Sequence, residues 1–157
     1  MNHSVLFVCT ANICRSPMAE AVFNDLVEKE GLVDQVRIDS AGTSRYHIGE
    51  PAHRGTRRVL ADHGIRSDST AQQVSANDLA HADYLVAMDR ANASDMRHMA
   101  RGAELDGRLL LLLDFAENTR LQDVPDPYYT GNFEEVFRLV ESGCQGLLAH
   151  IRAEQGV

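Results

Sequence analysis

"SVLFVCTANICRSPMAEAVF", residues 4–23, joins a continuous apolar run to a helical pattern through a short polar loop. Residues 4–9, "SVLFVC", have the length and unbroken apolarity of a strand covered on both faces in a parallel sheet. Pro17 suits the first turn of a helix, and Met18, Val22 and Leu26, with Phe23 and Val27, follow at helical spacing. Outward from this unit, Val36 to Ser40 reads as a second short strand. A glycine-containing loop and a helix from Gly55 to His63, stopped by Gly64, follow it. "DYLVAMD" at 83–89 and "RLLLLLDF" at 108–115 read as two further buried strands, with a helix at 91–100 between them. Phe133, Val136, Phe137, Val140, Cys144, Leu147, Leu148 and Ile151 form one stripe on a last helix.

Strands alternating with helices predict an α/β fold. The expected form is a single domain over residues 1–157, in three layers, with a four-stranded parallel sheet and helices on both faces. Ligands of such sheets sit beyond the carboxyl ends of the strands. Residues 9–16 occupy that position and are the expected phosphate-binding loop.

Asp and Glu number 23 against 15 Lys and Arg, a formal charge of −8. Such a surface repels nucleic acid and anionic membranes, so a phosphate site must be a local basic exception. Three cysteines, at 9, 14 and 144, make no disulfide framework and suit a reducing compartment. "MNHSVLFVC" does not read as a signal peptide, and "LLLLL" at 109–113 is too short to span a bilayer, so a cytoplasmic protein is expected.

A loop between a buried strand and a helix start presents unpaired N–H groups and the positive end of the helix dipole, which together suit an oxyanion. Arg15 lies six residues after Cys9, and its planar fork can return to grip a phosphate. A free thiol of about 8.5 falls to about 3.5–7.5 in such a field, so Cys9 is expected to be a thiolate nucleophile. Ser16 can donate to the sulfur, and Asn12, which tolerates left-handed geometry, can pivot the loop. The Cys9–Arg15 spacing alone is weak; its place after a strand, with Arg-Ser-Pro opening a helix, gives it weight. Phosphoryl transfer also needs an acid for the leaving oxygen. In "DVPDPYYTGN", 123–132, Asp126 stands between Pro125 and Pro127, and Tyr128 and Tyr129 offer walls for a flat substrate.

These residues together resemble the low-molecular-weight protein tyrosine phosphatase family, as do "DSAGT" at 39–43, "YHIGEPA" at 46–52 and "DYLVAMD" at 83–89. The resemblance implies Cys9 as nucleophile, Arg15 as transition-state clamp, and Asp126 as acid and then base. The backbone from Thr10 through Ala11, Asn12, Ile13, Cys14 and Arg15 to Ser16 becomes the phosphate cradle. Tyr46, Tyr128 and Tyr129 match the aromatic slot, and Asn12, Ser16 and Ser40 the loop-supporting hydrogen bonds. The family implies phosphocysteine chemistry with no metal or cofactor, phosphotyrosine-containing protein substrates, a tyrosine kinase as counterpart, and a monomer or weak dimer. Three positions depart from its pattern. Ala11 replaces a glycine, at a cost of about 1 kcal/mol or more if that position needs positive φ. Ser69 and Gln72 replace a histidine and an arginine, which leaves the loop support less firmly tied.

Other readings compete. Protein-arginine phosphatases have similar loops but carry threonine where this chain has Ile13, and they lack the double tyrosine. Arsenate reductases use two further cysteines near the loop, whereas Cys144 falls on the apolar stripe of the last helix. A non-catalytic phosphate-binding module has no need of Asp126, and plain buried packing of Cys9 and Cys14 leaves Arg15 and Asp126 unexplained. Cys14 is either a packed loop residue or a partner that shields Cys9 through a reversible disulfide. "RGTRR" at 54–58 reads as a solvated helix face, the seven histidines as surface or helix-end residues, and Asp89 and Asp114 as caps or turn formers.

Overall fold

The computed structural model describes residues 2–157. Strand β1 (His3–Cys9) leads into helix α1 (Arg15–Lys29), and β2 (Val36–Gly42) precedes α2 (Arg54–Asp62). Helix α3 (Ala76–His81), strand β3 (Tyr84–Ala87), α4 (Arg90–Met99) and strand β4 (Leu109–Leu111) follow. A short α5 (Pro127–Thr130) and a long α6 (Phe133–Gln155) close the chain.

All pairings are parallel, in the order β2-β1-β3-β4, so the chain leaves β1 in one direction for β2 and later crosses it to β3. The unbroken apolarity of β1 is explained by layers on both faces. Val5, Phe7 and Cys9 join one cluster with Met18 and Phe23 of α1 and Phe137 and Leu147 of α6. Leu6 and Val8 turn the other way, to Leu79 of α3 and Met96 of α4. The expected stripe of α6 is buried from Val136 to Ile151. Among the described residues no helix is long and apolar enough to cross a membrane.

The stretch 108–115 differs from expectation. Only Leu109–Leu111 pairs as strand, and Leu112–Phe115 turns into a 3-10 helix. Helix α6 lies against that turn so closely that a Cβ at Gly146 would sit 1.9 Å from the Phe115 carbonyl oxygen. The strand part is not the buried strand expected: β4 lies at the sheet edge and is half-buried, whereas Leu112 and Leu113 of the turn are buried. Helix α3 was not anticipated, although Ser75 and Asp78 form a reciprocal capping box, which a sequence can display. The stretch 123–132 contains α5, with Pro127 in its first position and Asp126 as its cap.

Candidate active site

The loop between β1 and α1 folds around the Cys9 sulfur. Asn12 N–H donates to Sγ at 3.2 Å, and the Ser16 hydroxyl lies 3.0 Å from it. That closure needs one left-handed residue, and Asn12 supplies it with φ +58°. Ala11 is outside the left-handed region, so the expected penalty for replacing glycine there does not arise.

Asn12 also ties the loop to its surroundings. Its amide nitrogen donates to Ser16 Oγ at 2.8 Å and Ser40 Oγ at 3.0 Å, and its oxygen accepts from Gln72 N–H at 3.0 Å. Ser40 in turn donates to the Glu20 carboxylate at 2.5 Å. Burial, with Asp39 nearby, holds the Glu20 carboxyl above its ordinary range despite the Ser40 hydrogen bond. Gln72 does more than its departure from the family pattern implies. Its side chain donates to Asp39 at 3.1 Å and to the Ser40 carbonyl at 2.8 Å, binding β2 to the loop. Ser69 instead borders a cavity beside Glu20.

The rest of the loop is clamped by backbone contacts. Thr43 and Ser44 donate N–H groups to the carbonyls of Cys9 and Thr10 at 2.9 and 2.8 Å. At Gly42 a Cβ would meet the Thr10 carbonyl oxygen at 2.7 Å, so only glycine permits this approach. His53 N–H and the Thr56 hydroxyl, both at the start of α2, bind the carbonyls of Ile13 and Cys14.

Arg15 is 3% exposed, and its orientation is imposed by residues far away in sequence. Its Nη1 donates to Asp89 Oδ2 at 2.6 Å and to the Val124 carbonyl at 2.9 Å. Nη2 lies 3.5 Å from Thr10 Oγ1 and 3.6 Å from Asp126 Oδ2. Burial opposes the charge of Arg15, but Cys9, Asp89 and Asp126 outweigh it and keep the guanidinium above its usual range. Asp89 caps α4 by accepting from Asn92 N–H at 2.6 Å, and the Asn92 amide bridges Asp89 Oδ1 and Thr10 Oγ1, each at 3.0 Å.

Asp126 faces Arg15 across the mouth of the cleft. Its Oδ1 accepts from Tyr128 N–H at 3.1 Å as the cap of α5, which leaves Oδ2 turned to Arg15. Cys9, Thr10, Ala11, Ile13, Cys14 and Arg15 form the floor of this cleft. Tyr46, Tyr128, Tyr129 and Asp126 rise around it, with Ser44 and His47. The rings of Tyr128 and Tyr129 meet edge to face at 5.3 Å. Tyr46 is 88% exposed and Tyr129 83%, so the walls are open.

All the residues expected at the site therefore meet here: most line the cleft, and Asn12, Ser16 and Ser40 support it from behind. Asp89 is a cap, as expected, and also the partner of Arg15. Asn92, Thr56 and Ser44 were missed, because nothing in their local sequence indicates which loop they reach; Gln72, expected to weaken the loop support, is part of it. Cys144 lies in the core, its sulfur 3.7 Å from the Ala19 carbonyl oxygen. The Cys14 thiol, buried and near Asp126 and Cys9, is pushed up to about 12. Among the described residues no group of three or more His, Cys, Asp or Glu is placed to hold a metal ion.

Comparison with known proteins matches residues 4–156 to the family described as low molecular weight phosphotyrosine protein phosphatase. The chain belongs to the low-molecular-weight protein tyrosine phosphatase family. Within that family it is 52% identical over 153 residues to the low molecular weight protein-tyrosine-phosphatase YfkJ of Bacillus subtilis, covering 97% of both chains. The crystal structure of YfkJ superposes with a TM-score of 0.94 at 51% identity, covering 98% of this chain and 97% of that one. A Drosophila arginine phosphatase has the same fold, with a TM-score of 0.85 at 31% identity over 94% of this chain and 97% of its own.

Proposed function

We propose that this chain, as a single phosphatase domain, hydrolyses phosphotyrosine in proteins through a phosphocysteine intermediate and without a metal ion. The observation that carries this reading is the convergence of the Cys9 sulfur, the buried Arg15 guanidinium and the Asp126 carboxyl on one cleft. The phosphate seats on the loop N–H groups and the Arg15 fork, which are fixed before substrate arrives and so match the charge of the transition state without reorganisation. The Cys9 sulfur attacks phosphorus, a P–S bond forms, and the P–O bond to the phenol breaks. Asp126 gives its proton to the departing oxygen. Asp126 then takes a proton from a water that attacks the phosphocysteine, the P–S bond breaks, and inorganic phosphate leaves. Ser16 and the Asn12 N–H stabilise the sulfur both as nucleophile and as leaving group.

Ile13 and the two tyrosines favour an aryl ester over phosphoarginine, because the cleft offers apolar and aromatic surface where an arginine phosphatase has a threonine hydroxyl. The test is hydrolysis of para-nitrophenyl phosphate in the presence of a chelator. Wild type turns it over, Cys9→Ser does not, and phosphotyrosine is preferred to phosphoarginine. Full activity in Cys9→Ser overturns the mechanism, and a clear preference for phosphoarginine overturns the substrate.

In the same reading the protein works in the cytoplasm, as a monomer opposing a tyrosine kinase, and Cys14 guards the nucleophile. Peroxide oxidises Cys9 to the sulfenic acid; the Cys14 thiol attacks that sulfur and expels water, leaving a disulfide that a thiol reductant reopens. Wild type should recover after peroxide and reductant, and Cys14→Ala should recover less. Equal recovery removes this role.

A further inference from the structure

Helix α2 carries Arg54, Arg57 and Arg58, all exposed, on the face away from its buried Thr56, Val59 and Leu60. Cations spaced three and four residues apart repel one another on a helix surface, and Arg54 stands in the first turn, where the helix dipole disfavours a cation. Stability alone does not account for this arrangement. The arginine–carboxylate pairs of the exposed surface engage Arg66, Arg90, Arg97 and Arg152, and, among the described residues, none of the three on α2.

Two grooves meet at this face. One runs from Ile13 of the catalytic loop past Ala52 and His53 to Arg54 and Arg57. The other lies between α2 and the start of α6, where His53, Arg54, Arg58 and Phe133 border it. His53 belongs to both, stacked on Phe133 at 5.1 Å and edge-on to Tyr128 at 6.0 Å. Since Ile13 and Tyr128 also line the catalytic cleft, the arginines begin where its walls end. Arg57 is held over the first groove by its Nε, which donates to the Ala52 carbonyl at 2.9 Å. Of the carboxylates in the grooves, Glu50 is engaged by His47 at 2.8 Å and Glu134 by His63 at 3.0 Å, and Asp62 ends the helix.

We propose that this face is a subsite for acidic side chains that flank the phosphotyrosine of a protein substrate. The proposal rests on the phosphatase reading above and deepens it. With its phosphate on the loop, a substrate chain that leaves the cleft over Ile13 and Tyr128 meets guanidinium groups first. On a protein of formal charge −8, that edge is where an acidic segment is attracted rather than repelled.

The experiment compares two phosphotyrosine peptides of equal length, one flanked by glutamates and one by alanines, with para-nitrophenyl phosphate as the reference for folding and chemistry. At low salt, wild type should show a kcat/KM about fivefold higher for the acidic peptide, and the preference should shrink toward one at high salt, as for exposed ion pairs. In Arg54→Glu/Arg57→Glu the ratio of acidic to alanine peptide should fall below one, and a lysine-flanked peptide should become the better substrate. A wild-type ratio of one, or an unchanged ratio in the double variant, overturns the subsite while leaving the phosphatase reading intact. A wild type inert toward para-nitrophenyl phosphate overturns that reading, and the subsite with it.

Discussion

The two sides of the catalytic loop are built differently. Behind the sulfur, Asn12, Ser16 and Ser40 are each 2% exposed or less and joined by hydrogen bonds of 2.8–3.0 Å. In front, Tyr46 and Tyr129 stand open to solvent and Asp126 is tied by one cap hydrogen bond and Arg15. The difference teaches where rigidity is needed. A nucleophile and its oxyanion cradle gain from being positioned before reaction, whereas solvent-exposed walls need only offer surface to what enters between them.

The largest break is expected from the front. Removing the acid in Asp126→Ala should lower kcat on an alkyl or aryl ester with a poor leaving group by about 10²–10³-fold, with KM little changed. The loss should narrow for a leaving group that needs no proton, so comparing a range of phenols checks the role. A uniform loss across leaving groups counts against it.

Next comes the rear network. Asn12→Ala removes the donor to Ser16 and Ser40, leaves the Gln72 N–H without its acceptor, and places a Cβ-bearing residue without a polar side chain at φ +58°, so a loss of about 2–4 kcal/mol in unfolding free energy is expected. Asn12→Gly keeps the backbone freedom and loses only the amide. It should recover about 1 kcal/mol of that loss, and denaturant titration of both variants separates conformation from hydrogen bonding.

The smallest effect probes the far end of that network. Glu20 has a folded-state pKa raised chiefly by burial. Its proton is held more tightly in the native state than in the unfolded chain. The cost of the buried carboxylate is therefore absent below the ordinary glutamate range and grows as pH rises through the raised value. Glu20→Gln has no such cost and keeps an acceptor for Ser40. Its Tm relative to wild type should climb across that window, by about 1–3 °C. A gap that is flat with pH contradicts the assignment.

Legibility in the sequence follows the range of the interactions. Cys9, Arg15 and Ser16 could be read because strand, loop and helix start are contiguous, and Asp126 because two prolines and two tyrosines surround it. Asp89 shows itself only as a helix cap; its bond to Arg15 depends on β3 lying beside β1. Gln72 counts as a departure from the family when compared letter by letter, yet its amide, shorter in reach than an arginine, still joins Asp39 and Ser40. The leucine run at 109–113 is fully buried only in its helical half, Leu112 and Leu113, where α6 approaches through Gly143 and Gly146.

The sequence by itself determined the apolar strand, the loop whose one left-handed position is an asparagine, and the helix that Pro17 helps to open. Those depend on steric preference and on neighbours within a few residues. Tertiary structure alone decided which donors and acceptors hold the loop, where β4 stops, and that Arg54 and Arg57 border a groove sharing Ile13 with the cleft. A buried polar group must find its partner in three dimensions, and strand pairing and helix packing settle who that partner is.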